Sequence, residues 1–214
     1  MQTIIDLALN WFLHLDAHLA ELVALHGAWI YLILFLVIFV ETGVIVMPFL
    51  PGDSLLFVAG ALAAKGLFDP WILFVLLSSA AIIGDALNFT IGTIVRKKAI
   101  DTHRIPFVKE EHIAQTHAFF DRHGGKTIIL ARFVPIVRTL APFVAALGAM
   151  PPRIFFFYNV TGAIIWVGLL VAAGHIFGTI PWVNQNLTLI VIGIVILSIM
   201  PAVFSWLHSR KQAK

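Results

Sequence analysis

Four charged side chains sit in runs of residues that otherwise belong in hydrocarbon. Glu41 and Asp53 flank the interruption Pro48-Phe49-Leu50-Pro51-Gly52, and Arg132 and Arg138 stand on either side of Pro135. Buried carboxylates take up and release protons, while guanidiniums hold phosphate or carboxylate oxygens in a two-pronged geometry that lysine does not reproduce. In a bilayer each ionised side chain at mid-depth costs on the order of 2.5–3.5 kcal/mol. Four therefore cost roughly 10–14 kcal/mol, comparable with the whole stability of a domain, about 5–15 kcal/mol. A chain rich in Leu, Ile and Phe has every means to avoid that cost, so function is the natural explanation. Structural alternatives stand beside it. Asp53 also reads as the N-cap of a helix starting at Ser54. Glu41 and Arg132 also read as a structural ion pair, and Arg138 as a side chain snorkelling to the surface. Asp85 and Asn88 suit either interhelical hydrogen bonding or a proton relay.

The elements that carry these groups follow from composition. Of 214 residues, 60% are apolar and 12% charged, with mean hydropathy +0.98. An ordinary soluble domain carries about 25% charged residues, so soluble enzymes, nucleic-acid binders and disordered chains are excluded. The surplus of +3 sits in loops and a tail and reports orientation in a membrane, not a polyanionic partner. There are no cysteines, which removes disulfides and thiolate chemistry.

About 20 residues cross the hydrocarbon as a helix. Residues 71–95, 154–178 and 187–207 meet that length as transmembrane helices. Residues 4–25 place Asp6, Asn10, His14 and His18 four apart on one face and read as an amphipathic helix at the interface; a first full span is the alternative. Residues 96–126 form a polar segment with Arg96, Lys97, Lys98, Arg104, Lys109, Arg122 and Lys126, and the tail carries Arg210, Lys211 and Lys214. The positive-inside rule places both, and Arg153, in the cytoplasm. Only if 127–150 enters and returns on the cytoplasmic side do all these clusters share one face. It is therefore expected to be a re-entrant hairpin, broken at Pro135 and Pro142. By the same parity, 28–65 is expected to be a hairpin entering from the opposite side, broken at Pro48, Pro51 and Gly52. The expected fold is a single all-α polytopic membrane domain over 1–214, with two opposed re-entrant hairpins in an inverted repeat, the C-terminus cytoplasmic. Such folds bring broken helix ends together near the midplane.

Enzyme motifs are missing. No GxSxG elbow, complete P-loop or GxGxxG after a strand is present. Gly124-Gly125-Lys126-Thr127 reads as a helix C-terminus with its glycine cap. His112 and His117 are five apart, no HExxH occurs, and neither a metal nor a cofactor is expected. Gly174-His175-Ile176-Phe177-Gly178 is a small-xxx-small pattern for helix packing, which permits either a monomer or a homodimer.

Two long ordered motifs carry a family resemblance. The first is Phe39-Val40-Glu41-Thr42-Gly43 followed by Pro48-Phe49-Leu50-Pro51-Gly52-Asp53-Ser54-Leu55-Leu56. The second is Ala131-Arg132-Phe133-Val134-Pro135-Ile136-Val137-Arg138-Thr139, then Gly148 and Tyr158-Asn159-Val160-Thr161-Gly162. Together they resemble the DedA family over nearly the whole chain. The resemblance implies a bacterial inner-membrane protein with opposed re-entrant hairpins, whose relatives are implicated in returning undecaprenyl phosphate across the membrane or in moving phospholipids. It also implies that Glu41 and Asp53 serve proton coupling and that Arg132 and Arg138 are needed for activity. The expected partners are membrane lipids and protons. The expected function is proton-coupled transport of a lipid phosphate, with phosphatidylethanolamine scrambling and small-cation or osmolyte transport as alternatives.

Overall fold

The computed structural model describes residues 27–44, 52–102, 120, 122, 124–186, 189–190 and 192–194. The expected amphipathic helix over 4–25, the break residues Pro48 and Pro51, and most of the expected helix 187–207 lie outside the described residues. The helices are α1 (Trp29–Gly43), α2 (Gly52–Ala64), α3 (Pro70–Thr102), α4 (Lys126–Ala131), α5 (Pro135–Leu147), α6 (Pro152–Gly178) and α7 (Pro181–Gln185). Among the described residues there is no strand.

Among the described residues, two stretches are long and apolar enough to cross a bilayer: Pro70–Lys98, of 29 residues, and Pro152–Gly178, of 27. Large apolar side chains point outward along both, including Ile83, Leu87, Ile91 and Ile94 on α3 and Phe156, Phe157, Ile164 and Leu169 on α6. In water that surface would aggregate; in lipid it is the ordinary exterior of a helical membrane protein. Helix α3 does not stop at Val95, where the apolar run ends, but continues through Arg96, Lys97 and Lys98 to Thr102. No glycine or proline stands there to end it.

The helix ends have local causes. Asp69 accepts hydrogen bonds from the backbone N–H groups of Trp71 and Ile72, at 2.8 and 2.9 Å, and Pro70 opens α3 without wasting a donor. Gly124, at φ +67°, donates its N–H to the Phe120 carbonyl at 2.7 Å, the glycine cap expected from the sequence. At the end of α5, Met150 N–H bonds the Ala145 carbonyl and Ala149 N–H bonds that of Ala146. This is a Schellman closure with Ala149, not glycine, in the left-handed conformation at φ +56°.

The chain divides into two compact units. One comprises residues 1–36, 51–77 and 167–214. In it α2 packs against the later turns of α6 through glycines: Gly60 faces the Val171 carbonyl, and Gly174 and Gly178 face the Phe57 carbonyl and Ala61. The small-xxx-small pattern is thus a packing face.

The other unit comprises residues 37–50 and 78–166. Its apolar core joins Phe89, Phe120, Ile128, Ala141, Ala145 and Phe155, with the Phe89 and Phe155 rings stacked at 4.1 Å. Between α4 and α5 the chain breaks at Arg132–Val134. Val134 is extended (φ −115°, ψ 106°), as a residue preceding proline must be, and Pro135 starts α5. Pro142 corrects the sequence reading. It lies inside α5 and does not break it. A proline there removes the intrahelical hydrogen bond to the carbonyl four residues back, that of Arg138, and the adjacent Thr139 carbonyl accepts a hydrogen bond from Asn88 at 2.7 Å.

Candidate functional site

Five pieces of the second unit converge on one buried polar centre. The last turn of α1 supplies Glu41 and Thr42, and α3 supplies Gly84, Asp85 and Asn88. The α4–α5 break supplies Arg132, α5 supplies Arg138 and Thr139, and α6 supplies Asn159, Gly162 and Trp166. The spacings 84, 85, 88 and 159, 162, 166 each place their residues on one helix face.

Close approach at this centre is made by glycine. A Cβ on Gly84 would collide with the Thr42 hydroxyl and lie 2.9 Å from the Phe39 carbonyl. Its absence lets the end of α1 lie against α3. Thr42 turns its hydroxyl back to the Ile38 carbonyl at 2.9 Å, and Asn88 donates to the carbonyls of Thr42 (3.3 Å) and Thr139 (2.7 Å). Carbonyls near a helix end and beside Pro142 are thereby served by one amide. Gly162 stands opposite Arg132; a Cβ there would lie 3.3 Å from Nε.

Each guanidinium has its own carboxylate. Arg138 Nη2 donates to Glu41 Oε1 at 2.5 Å. Arg132 Nη2 donates to Asp85 Oδ2 and, at 2.5 Å, to Asn159 Oδ1, while Asn159 Nδ2 donates to the Ile82 carbonyl at 3.1 Å. Both guanidinium carbons lie over the indole of Trp166, Arg138 at 4.9 Å and Arg132 at 5.8 Å from the ring centroid. Such a contact is worth about 0.5–2 kcal/mol, and here one ring serves two like charges. Among the described residues, the buried charged side chains are these four: Glu41, Asp85, Arg132 and Arg138. The space that Asp85, Arg132 and Arg138 share with Thr42, Ile128, Ala141 and Pro142 is about 10 Å³, room for a single water. The centre is narrow and carries both signs of charge.

A VTT domain spans residues 50–176. Protein DedA of Escherichia coli strain K12 is 52% identical over 207 residues, 96% of this chain and 94% of that one. The chain belongs to the DedA family. Other relatives are an uncharacterized membrane protein of Mycobacterium leprae, 39% identical over 83% of this chain and 80% of its own, and inner membrane protein YghB of Escherichia coli K12, 32% identical over 73% and 72%. No solved structure matches.

Within the second unit the structure brings Glu41, Arg132 and Arg138 of the DedA motifs together with Asp85. Glu41 pairs with Arg138, and Arg132 pairs with Asp85. Asp53 stands half-buried in the first turn of α2, in the other compact unit, where a carboxylate suits the positive end of a helix. Arg138 is buried on Glu41 and does not snorkel. Gly52 is the first residue of α2. Asn159 and Trp166 were missed. Their signal was available: Asn159, Gly162 and Trp166 lie three and four apart in an otherwise apolar helix, a polar stripe on one face. Among the described residues no cluster of metal-ligating side chains occurs.

Proposed function

We propose that this DedA-family protein is a proton-coupled carrier of a lipid phosphate in the bacterial inner membrane, returning undecaprenyl phosphate across it. The observation that carries this reading is the pairing of two buried guanidiniums with two buried carboxylates at a helix break. A phosphate headgroup prefers paired Arg donors, and the arginines reach it only by leaving their carboxylates. Protonating a carboxylate frees an arginine and compensates the incoming charge. The narrow space holds a water but not a phosphate, so the centre must widen as a headgroup enters. The lipid tail stays in the bilayer, and the pocket faces either side in turn. Glu41 is the proton carrier this pairing supports directly; Asp53 is assigned the same task by the family motif. The reaction makes and breaks no covalent bond, so the protein is a transporter and not an enzyme.

The topology belongs to the same proposal. Helices α1, α2 and α5, of 15, 13 and 13 residues, fall short of the roughly 20 needed to cross. They fit two re-entrant hairpins, 28–65 and 127–150, entering from opposite faces in an inverted repeat, with the C-terminus in the cytoplasm. Names of relatives such as YghB support the inner membrane.

One observation favours a second reading. The centre holds both signs of charge, as a zwitterionic phosphatidylethanolamine headgroup requires, so energy-independent scrambling remains the alternative. Cation export fits poorly, because Arg132 and Arg138 repel the cargo. Reconstituted protein tests the main reading. Arg132→Lys and Arg138→Lys are expected to accumulate in the membrane yet lose headgroup movement, by about 10²-fold or more. Wild-type rates in either variant contradict the arginine clamp. Movement without a pH gradient, indifferent to undecaprenyl phosphate, favours scrambling.

A further inference from the structure

We infer that Trp166 is a positioning residue of this site: its indole face keeps hold of both guanidiniums while they change partners from carboxylate to headgroup. The inference rests on the proposed lipid-phosphate reading and names the group that makes the exchange passable.

Trp166 is buried, with 2% of its surface exposed, and the guanidinium carbons of Arg138 and Arg132 lie 4.9 and 5.8 Å from its ring centroid. Both arginines line the same narrow space, where two like charges repel. The ring stands on α6, which runs unbroken from Pro152 to Gly178, and an indole turns about only two side-chain torsions. Arg132, by contrast, closes α4 at the break before α5. The face of α6 that presents Trp166 also gives Arg132 the Asn159 oxygen, and Gly162 leaves room beside the Arg132 Nε. The stiff element carries the indole, and the irregular one carries a cation.

Chemistry separates this partner from the carboxylates. Glu41 and Asp85 hold Arg138 and Arg132 through opposite charge, which is also what a phosphate offers, so carboxylate and headgroup compete for the same donors. An aromatic ring attracts a cation through its quadrupole and carries no net charge. It does not compete with an incoming anion, and a guanidinium resting on a ring still presents N–H donors at its edge. A buried arginine between partners is costly. The indole lowers that cost at the step where it is greatest. Trp166 therefore acts on the exchange more than on either end state, so its loss slows movement without weakening headgroup binding in proportion. Phenylalanine offers a weaker ring for this purpose, and leucine none.

Full-length protein in vesicles of phosphatidylethanolamine and phosphatidylglycerol, with a fluorescent polyprenyl monophosphate and an impermeant quencher, tests this. In Trp166→Leu the maximal rate of probe movement is expected to fall about thirty-fold, the worth of one desolvated cation–π contact. The half-saturating probe concentration is expected to stay within about three-fold of wild type. Trp166→Phe is expected to recover the rate to within about five-fold of wild type. Tryptophan carrying one, two or four ring fluorines, inserted at position 166 alone by nonsense suppression, separates charge attraction from packing. Fluorine draws electron density off the ring face at nearly constant volume, so the rate is expected to fall stepwise, to about a tenth with four. A rate indifferent to fluorination overturns the inference while leaving lipid-phosphate transport standing. So does a Trp166→Leu protein whose half-saturating concentration rises about thirty-fold at an unchanged maximal rate. If Trp166→Leu does not accumulate, the fluorination series decides alone. No probe movement by the wild-type protein overturns the transport reading and this inference with it.

Discussion

Helices α3 and α6 each contribute to both compact units, and their two ends are built on opposite principles. In the unit containing α2, the later turns of α6 are packed through Gly174 and Gly178 against Phe57 and Ala61, and among its described residues the buried polar side chain is Ser54. In the other, the same two helices hold Asp85, Asn88 and Asn159 around Arg132 and Arg138. Close packing needs only small residues and shape. Buried ion pairs add little stability over apolar residues of equal volume, and breaking one is costly. The contrast teaches where this protein keeps stability and where it keeps chemistry: the glycine seam is replaceable in principle by any tight seam, while the charged centre has no structural justification of equal strength.

That contrast is broken most severely by orphaning one charge. Arg138→Gln leaves Glu41 buried without this guanidinium and is expected to destabilise the protein by about 3–5 kcal/mol. Glu41→Gln with Arg138→Gln is expected to recover most of the loss, because two amides replace two ions. Thermal denaturation in detergent checks both; a double variant as unstable as the single would show that the pair itself holds the fold together.

A milder change sharpens the other side. Gly174→Ala drives a Cβ into the Phe57 carbonyl, so the backbones must separate, at an expected cost of about 1–3 kcal/mol. Headgroup movement per folded molecule is expected to stay near wild type. A loss of movement with stability intact would place function in the seam as well.

The smallest effect is expected outside both features. Ala149→Gly relieves the left-handed conformation at the end of α5 and is expected to stabilise by about 0.5–1 kcal/mol, read as a rise in unfolding temperature. A fall would mean that the Ala149 methyl group makes a contact worth more than its backbone strain.

Much of this was legible in the sequence. Charge scarcity and long apolar runs gave an all-α membrane protein, and a charge in hydrocarbon is conspicuous, so Glu41, Arg132 and Arg138 stood out. Their pairing did not. Which carboxylate meets which guanidinium depends on the rotational phase of α1, α3 and α5, and Gly84 sets one of those phases through a contact no spacing reveals. Asp85 was weighed as either a packing or a relay residue because an aspartate in a long helix suits both. Pro142 was misread because proline breaks an isolated helix, whereas Asn88 bonds to a carbonyl of that turn here. Trp166 stood unnoticed because an indole in an apolar helix looks like lipid contact until two cations are found on its face.

The claim on which the account depends is that these charges exist for a headgroup and not for the fold. Its most direct test is the rate of lipid-phosphate movement in vesicles carrying the Glu41→Gln, Arg138→Gln double variant, measured on folded protein. The expected result is a folded protein that moves the headgroup at least a hundred-fold more slowly than wild type. A folded double variant moving it at the wild-type rate would contradict it.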